Sequence, residues 1–170
     1  MDHFARLGLP AALDLDPATL DRAYFARQRQ WHPDRFVSRP PEERARASVE
    51  AAALNDAYRT LKEPLGRAVY LAGLNGVDLP GDGKTIDDPE LLMEAMEARE
   101  ELHEAASVEI VEGLARRARD EMARSLSGLA SLFLAGDKPA IRKALLRLRY
   151  LDKFAEEARA KRTNLERPRA

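Results

Sequence analysis

The sequence predicts an all-α protein, and three observations carry that expectation. Val, Ile and Thr, the residues that favour strands, number only thirteen of 170. Ala, Leu, Glu and Arg, which lose little side-chain entropy in a helix, dominate the chain. Proline, aspartate and glycine also stand where helices start and stop.

The first long helix starts at Asp16-Pro17, a capping acid followed by proline at the first helical position. It is expected to run to about Trp31, because Pro33 disfavours helical dihedrals at His32. Leu20, Tyr24 and Trp31 form its apolar stripe, and Arg27 interrupts it, its stem expected on the core and its guanidinium in water. Pro40-Pro41-Glu42-Glu43 opens a second helix, with acids at the positive end of its dipole. Val49, Ala53, Asp56, Ala57 and Leu61 mark its course before Pro64. A short helix from Leu65 to Leu74 follows, stopped by Asn75-Gly76. The pattern is a helical hairpin with a tight polar loop, His32 to Arg39, at its tip.

Charge divides the chain into three parts. Residues 1–75 carry net +1, residues 76–107 carry −8 and residues 108–170 carry +6, for a total of −1. The middle block opens with Asn75-Gly76-Val77-Asp78-Leu79-Pro80-Gly81-Asp82-Gly83, whose glycines and proline read as a linker. The expected organisation is therefore a domain over 1–75, a linker over 76–86 and a second domain over 87–170. In the second domain Asp88-Pro89 caps a helix to about Ala105. Ser107 starts another, ended at Ala135 by Gly136, and Asp137 caps a third that continues to about Leu165. Short connections imply antiparallel neighbours and a three-helix bundle.

Composition bounds function as well. The near-zero net charge gives no general pull toward nucleic acid or a membrane. No apolar run approaches the roughly 20 residues that span a bilayer. The N-terminus lacks the pattern of a secretory signal, so a cytoplasmic location is expected. With no cysteine, thiolate catalysis and thiolate-held metals or iron–sulfur clusters are excluded. No cofactor and no catalytic activity of its own are expected.

Two regions carry chemistry. In the hairpin loop, Pro33 fixes a backbone dihedral of an exposed turn and Asp34 offers a carboxylate able to pair with an arginine of a partner. His32 supplies an imidazole that can order the loop. Arg22, Arg27 and Arg29 on the preceding helix would steer toward an acidic surface. A metal site, a His–Asp catalytic pair and a plain structural turn are the rival readings.

The second region is the helix from Asp88. Taking Leu91 as origin and about 100° per residue, Ala95, Ala98, Leu102 and Ala105 fall within 40° and form the core seam. Leu92, Met93 and Met96 then lie at about 100°, 200° and 140°, and Glu97, Glu100 and Glu104 at about 240°, 180° and 220°. Adaptable apolar side chains rimmed by carboxylates resemble a protein-binding patch. In the last helix Ile141, Ala144, Leu148, Leu151, Ala155 and Ala158 share one stripe, with Leu146, Tyr150 and Phe154 pointing away from it and packing on a neighbouring helix as the alternative for Phe154. Tyr150 joins Leu92, Met93 and Met96 as a candidate anchor. A second reading makes Leu92 core, and another makes the patch an interface between copies of this chain.

The residues also carry a resemblance. His32-Pro33-Asp34 between two antiparallel helices, with Leu54-Asn55-Asp56-Ala57-Tyr58-Arg59-Thr60-Leu61 in the second, resembles a J-domain, the module that stimulates the ATPase of DnaK-type chaperones. Almost the whole chain is similar to the HscB family, J-type co-chaperones of iron–sulfur cluster assembly. The similarity begins at Met1-Asp2-His3-Phe4 and Leu7-Gly8-Leu9-Pro10 and continues through Gln28 to Phe36. It includes Arg67-Ala68-Val69-Tyr70-Leu71, Leu91-Leu92-Met93-Glu94, Arg99-Glu100-Glu101-Leu102 and Leu148 to Phe154. The resemblance implies an N-terminal J-domain joined to a C-terminal three-helix bundle that binds the scaffold protein IscU and delivers it to the chaperone HscA. It implies chaperone binding by His32, Pro33, Asp34, Arg22, Arg29 and Arg35. It implies scaffold binding by Leu92, Met93, Met96, Glu97, Glu100, Glu104 and Tyr150. Met96 stands where relatives have leucine and Tyr150 where they have phenylalanine; both keep an apolar contact. Phe25 and Ala26 stand where J-domains commonly carry lysine or arginine, which thins the basic face. Weak self-association stays open.

Overall fold

The computed structural model describes residues 1–81 and 86–166. Among them the regular structure is entirely helical. The chain divides into two compact units, Met1–Leu74 and Asn75–Ala170. Residues 82–85 of the expected linker lie outside the described residues, as does the chain after Glu166.

The N-terminal unit holds four helices. Helix α1 (His3–Leu7) was not foreseen: its five residues are too few to display a periodicity. Its caps were visible, however. The Asp2 carboxylate accepts from the Ala5 N–H, and Gly8 ends the helix at φ 73°, a conformation that glycine adopts without steric cost. Helix α2 (Pro17–Trp31) is capped by Asp16, whose carboxylate accepts from the Thr19 N–H at 2.9 Å. Helix α3 (Pro41–Lys62) and helix α4 (Pro64–Leu74) follow. The helix bounds read from proline and glycine agree to within a residue or so.

Antiparallel pairing of α2 with α3 is fixed by their polar flank. The Tyr58 hydroxyl donates to Asp21, the Tyr24 hydroxyl donates to Asn55, and the two tyrosine rings stack at 4.2 Å. Leu20, Ala47, Leu54, Ala57 and Leu61 fill the space between the helices, and Phe4 and Leu7 of α1 close it. The expected course of α3 requires correction at Val49 and Asp56, both of which face solvent. Ala47 and Leu54 take the buried face with Ala57 and Leu61, because at about 100° per residue Val49 and Asp56 fall on the opposite side of the helix from Ala47. Arg27 is half-buried on α2, with its guanidinium 3.2 Å from where a side chain at Gly8 would begin.

The C-terminal unit holds α5 (Pro89–Glu104), α6 (Val108–Ala135) and α7 (Lys138–Glu166). Asp88, Ser107 and Asp137 provide the N-terminal side-chain caps, and Gly136 turns the chain at φ 67° between α6 and α7. Ion pairs set the directions. Lys143 with Glu90, Arg147 with Glu94 and Arg99 with Glu157 run in the same order along α5 and α7, so these two helices are parallel. Helix α6 returns antiparallel between them in sequence. Ahead of α5, Arg142 donates to the Asp78 carbonyl and Arg149 to the Pro80 carbonyl, while Val77 is buried.

The expected single stripe on α7 also needs correction. Leu146 and Phe154 are buried, together with Ile141, Leu145, Leu148, Leu151 and Ala158. A helix flanked by two neighbours buries two stripes. Phe154 joins Leu102, Ala105, Val111, Leu114 and Leu151 in one core cluster.

Candidate functional sites

The hairpin tip is built from the end of α2 and a single 3₁₀ turn, Pro33–Phe36. Pro33 stands at the first position of that turn, where its missing N–H and fixed φ cost nothing. His32 caps the turn: its Nδ1 accepts from the Asp34 N–H at 3.3 Å, and its carbonyl accepts from the Arg35 N–H at 3.0 Å. The Asp34 carboxylate lies 3.5 Å from His32 Nδ1, with its side chain 85% exposed. The loop therefore satisfies its own backbone and leaves a carboxylate facing water.

Arg29 and Arg35 stand at the loop, and the Arg35 guanidinium donates to the Arg29 carbonyl at 2.9 Å. Arg22 lies seven residues before Arg29, about 10 Å along α2 on the same face. Its guanidinium donates to the Thr19 hydroxyl and approaches Asp16 at 3.9 Å, so it belongs to the start of the helix as much as to the loop face. Phe25 stands 53% exposed on α2, between the two arginines in sequence.

On α5 the wheel geometry separates core from surface as expected. Leu91, Ala95 and Leu102 are buried, whereas Met93 and Met96 are 61% and 59% exposed. Glu97, Glu100 and Glu104 are exposed on the same side. Leu92, on the flank, is half-buried. Tyr150 is half-buried as well and packs on the core cluster beside Ala98 and Met122. Burial pushes its phenol pKa up, and the carboxylates of Glu121 and Glu94 add to the shift. The structure thus places five of the seven residues on open surface, leaves Leu92 half-buried and packs one side of Tyr150 on the core.

Sequence reading missed the polar frame around this face. The Arg147 guanidinium bonds both carboxylate oxygens of Glu94 at 2.5 Å and lies 3.7 Å from Glu121. A long-range triad of this kind leaves no sequence spacing to find it by. Among the described residues no group of three or more His, Cys, Asp or Glu could hold a metal ion. None of the described helices is long and apolar enough to cross a membrane.

The chain is 39% identical over 167 residues to the co-chaperone protein HscB homolog of Burkholderia multivorans, covering 96% of this chain and 95% of that one. The chain belongs to the HscB co-chaperone family. The HscB homolog of Cupriavidus taiwanensis is 41% identical over 159 residues, with 92% and 90% coverage. The family model described as the HSCB C-terminal oligomerisation domain matches residues 87–159, which begin just before α5 and end within α7. Among solved structures, chaperone HscB from Vibrio cholerae superposes with a TM-score of 0.83 at 31% identity, covering 97% of this chain and 99% of that one. Human co-chaperone protein HscB superposes with a TM-score of 0.87 at 28% identity, covering 96% and 83%. This HscB-family chain therefore has the fold that the sequence predicts, an N-terminal J-domain and a C-terminal three-helix bundle, and is a co-chaperone by family.

Proposed function

We propose that this protein is a two-ended adaptor of iron–sulfur cluster assembly. Its C-terminal bundle captures the scaffold protein IscU through Leu92, Met93, Met96 and Tyr150, with Glu97, Glu100 and Glu104 as an acidic rim for a basic partner. Its His32-Pro33-Asp34 loop engages the ATP-bound DnaK-type chaperone HscA and promotes hydrolysis, with Arg22, Arg29 and Arg35 steering the approach. The observation that carries this reading is the solvent-facing Asp34 carboxylate on a self-satisfied turn at the hairpin tip, in a chain of the HscB family. Exposed Met93 and Met96 support the cargo half, since adaptable thioether side chains rimmed by charge suit a protein partner.

The adaptor works by proximity. Linking two binding events in one chain raises the scaffold's effective concentration at the chaperone. Hydrolysis then locks the scaffold on. The adaptor performs no chemistry itself; its residues bind and orient.

The test has two arms. Purified chain is titrated into HscA with and without IscU, and ATP hydrolysis is followed. Wild type should accelerate it and Asp34→Asn should not. In a pull-down, the triple variant Leu92→Ala, Met96→Ala, Tyr150→Ala should lose IscU. Retention of IscU by that variant would remove the bundle from the proposal.

A further inference from the structure

Beside the hairpin tip runs a groove lined by Gln30, Trp31, Phe36, Glu43 and Arg46. Trp31 is the last residue of α2 and Phe36 the last of the 3₁₀ turn, so the two rings bracket the loop in sequence. They also meet in space. Their planes lie 3° from parallel with centroids 6.0 Å apart, an offset stack. From α3, Arg46 brings its guanidinium carbon to 5.6 Å from the Trp31 ring centroid. A cation at that range is attracted to the face of an indole ring.

The loop's hydrogen bonds have a limited reach. His32 with Asp34, His32 with Arg35, Phe36 with Arg39 and Arg29 with Arg35 tie the loop to itself and to the end of α2. The ring stack closes the loop at its two ends, and Arg46 fastens that closure to the opposite helix. We propose that Trp31, Phe36 and Arg46 form an aromatic clamp that holds His32-Pro33-Asp34 in its presented conformation, with Arg46 as a positioning residue. The clamp's consequence for a partner rests on the chaperone-binding reading above. A loop ordered in advance loses less entropy on docking, so the clamp acts on affinity rather than on the docked complex.

Trp31 is the chain's single tryptophan, so its fluorescence reports on the clamp without a label. The experiment uses the full chain as wild type, Arg46→Met, which keeps the stem and removes the cation, Arg46→Lys, which keeps a cation, and Phe36→Leu, which removes the partner ring. Three quantities are read: Trp31 emission, amide exchange at Arg35, and the concentration giving half-maximal stimulation of HscA ATPase. Arg46→Met should shift the emission and speed exchange at Arg35. It should raise the half-maximal concentration about threefold, the size expected for an exposed cation–π contact, with maximal stimulation unchanged. Arg46→Lys should stay near wild type, and Phe36→Leu should move emission and exchange further than Arg46→Met. An unchanged thermal midpoint separates this from unfolding. Emission and Arg35 exchange that stay at wild-type values in both Arg46→Met and Phe36→Leu overturn the clamp. A wild type that fails to stimulate overturns the co-chaperone reading instead, and emission and exchange then decide the clamp alone.

Discussion

Arg147 of α7 holds both carboxylate oxygens of Glu94 on α5, and the same guanidinium lies 3.7 Å from Glu121 on α6. One side chain therefore ties three helices together at the flank of the face that carries Met93 and Met96. The side chains are only partly exposed, 32% for Arg147 and 40% for Glu94. Arg147→Leu should destabilise the C-terminal unit by about 1 kcal/mol, the upper end for a pair at a wet surface. Urea unfolding of the single variants and of Arg147→Leu with Glu94→Gln measures the coupling. Additive effects would mean that the pair is decorative.

Leu91 is fully buried and Met93 and Met96 are exposed, although all three lie within six residues of α5. Leu91→Ala should cost about 2–5 kcal/mol through lost burial and a residual cavity. Met93→Ala and Met96→Ala should each change stability by no more than about 0.5 kcal/mol. Their effect should appear in IscU binding. Calorimetric melting beside a binding titration separates the two classes, and a large stability loss in either methionine variant would contradict the surface assignment.

Asp34→Asn removes a charge from an exposed loop while keeping its shape, and the Asp34 backbone bond to His32 does not involve the carboxylate. The melting temperature should stay within about a degree of wild type, since surface changes of this kind are worth little. Stimulation of HscA should vanish. Parallel melting and ATPase curves test the pairing of an intact fold with a lost function.

The phenol of Tyr150 has a raised pKa, chiefly because burial disfavours its charged form and then because Glu121 and Glu94 repel it. The folded-state value lies above the unfolded one, near 10 for tyrosine. Its stabilising contribution is therefore complete below about pH 10 and fades as the pH climbs through the raised folded value. Tyr150→Phe should flatten that alkaline loss while keeping IscU binding. Chemical unfolding at a series of pH values from 8 to 11, read on both chains, checks it; identical profiles would rule out a half-buried phenol.

The sequence by itself determined the helix bounds, because proline, capping acids and glycine act on the backbone locally. Asp16-Pro17, Asp88-Pro89, Ser107 and Gly136 each end or begin a helix whatever lies around them. It also determined the exposed loop and the split of α5 into a core side and a methionine-glutamate side, since helical periodicity alone sets which residues share a face. The Asn55 and Tyr58 positions were legible as a motif but not as a clasp to Tyr24 and Asp21, which needed the second helix in place. Only tertiary packing decided that Val49 faces water, that Leu146 and Phe154 are core, and that Arg147 meets Glu94 and Glu121. Those outcomes depend on how many neighbours a helix has and at what rotation they meet it, and a one-dimensional pattern does not contain that number. The placement of Arg46 over the Trp31 ring belongs to the same class: Trp31 and Phe36 bracket one short loop, but Arg46 reaches them only when α3 folds back beside α2.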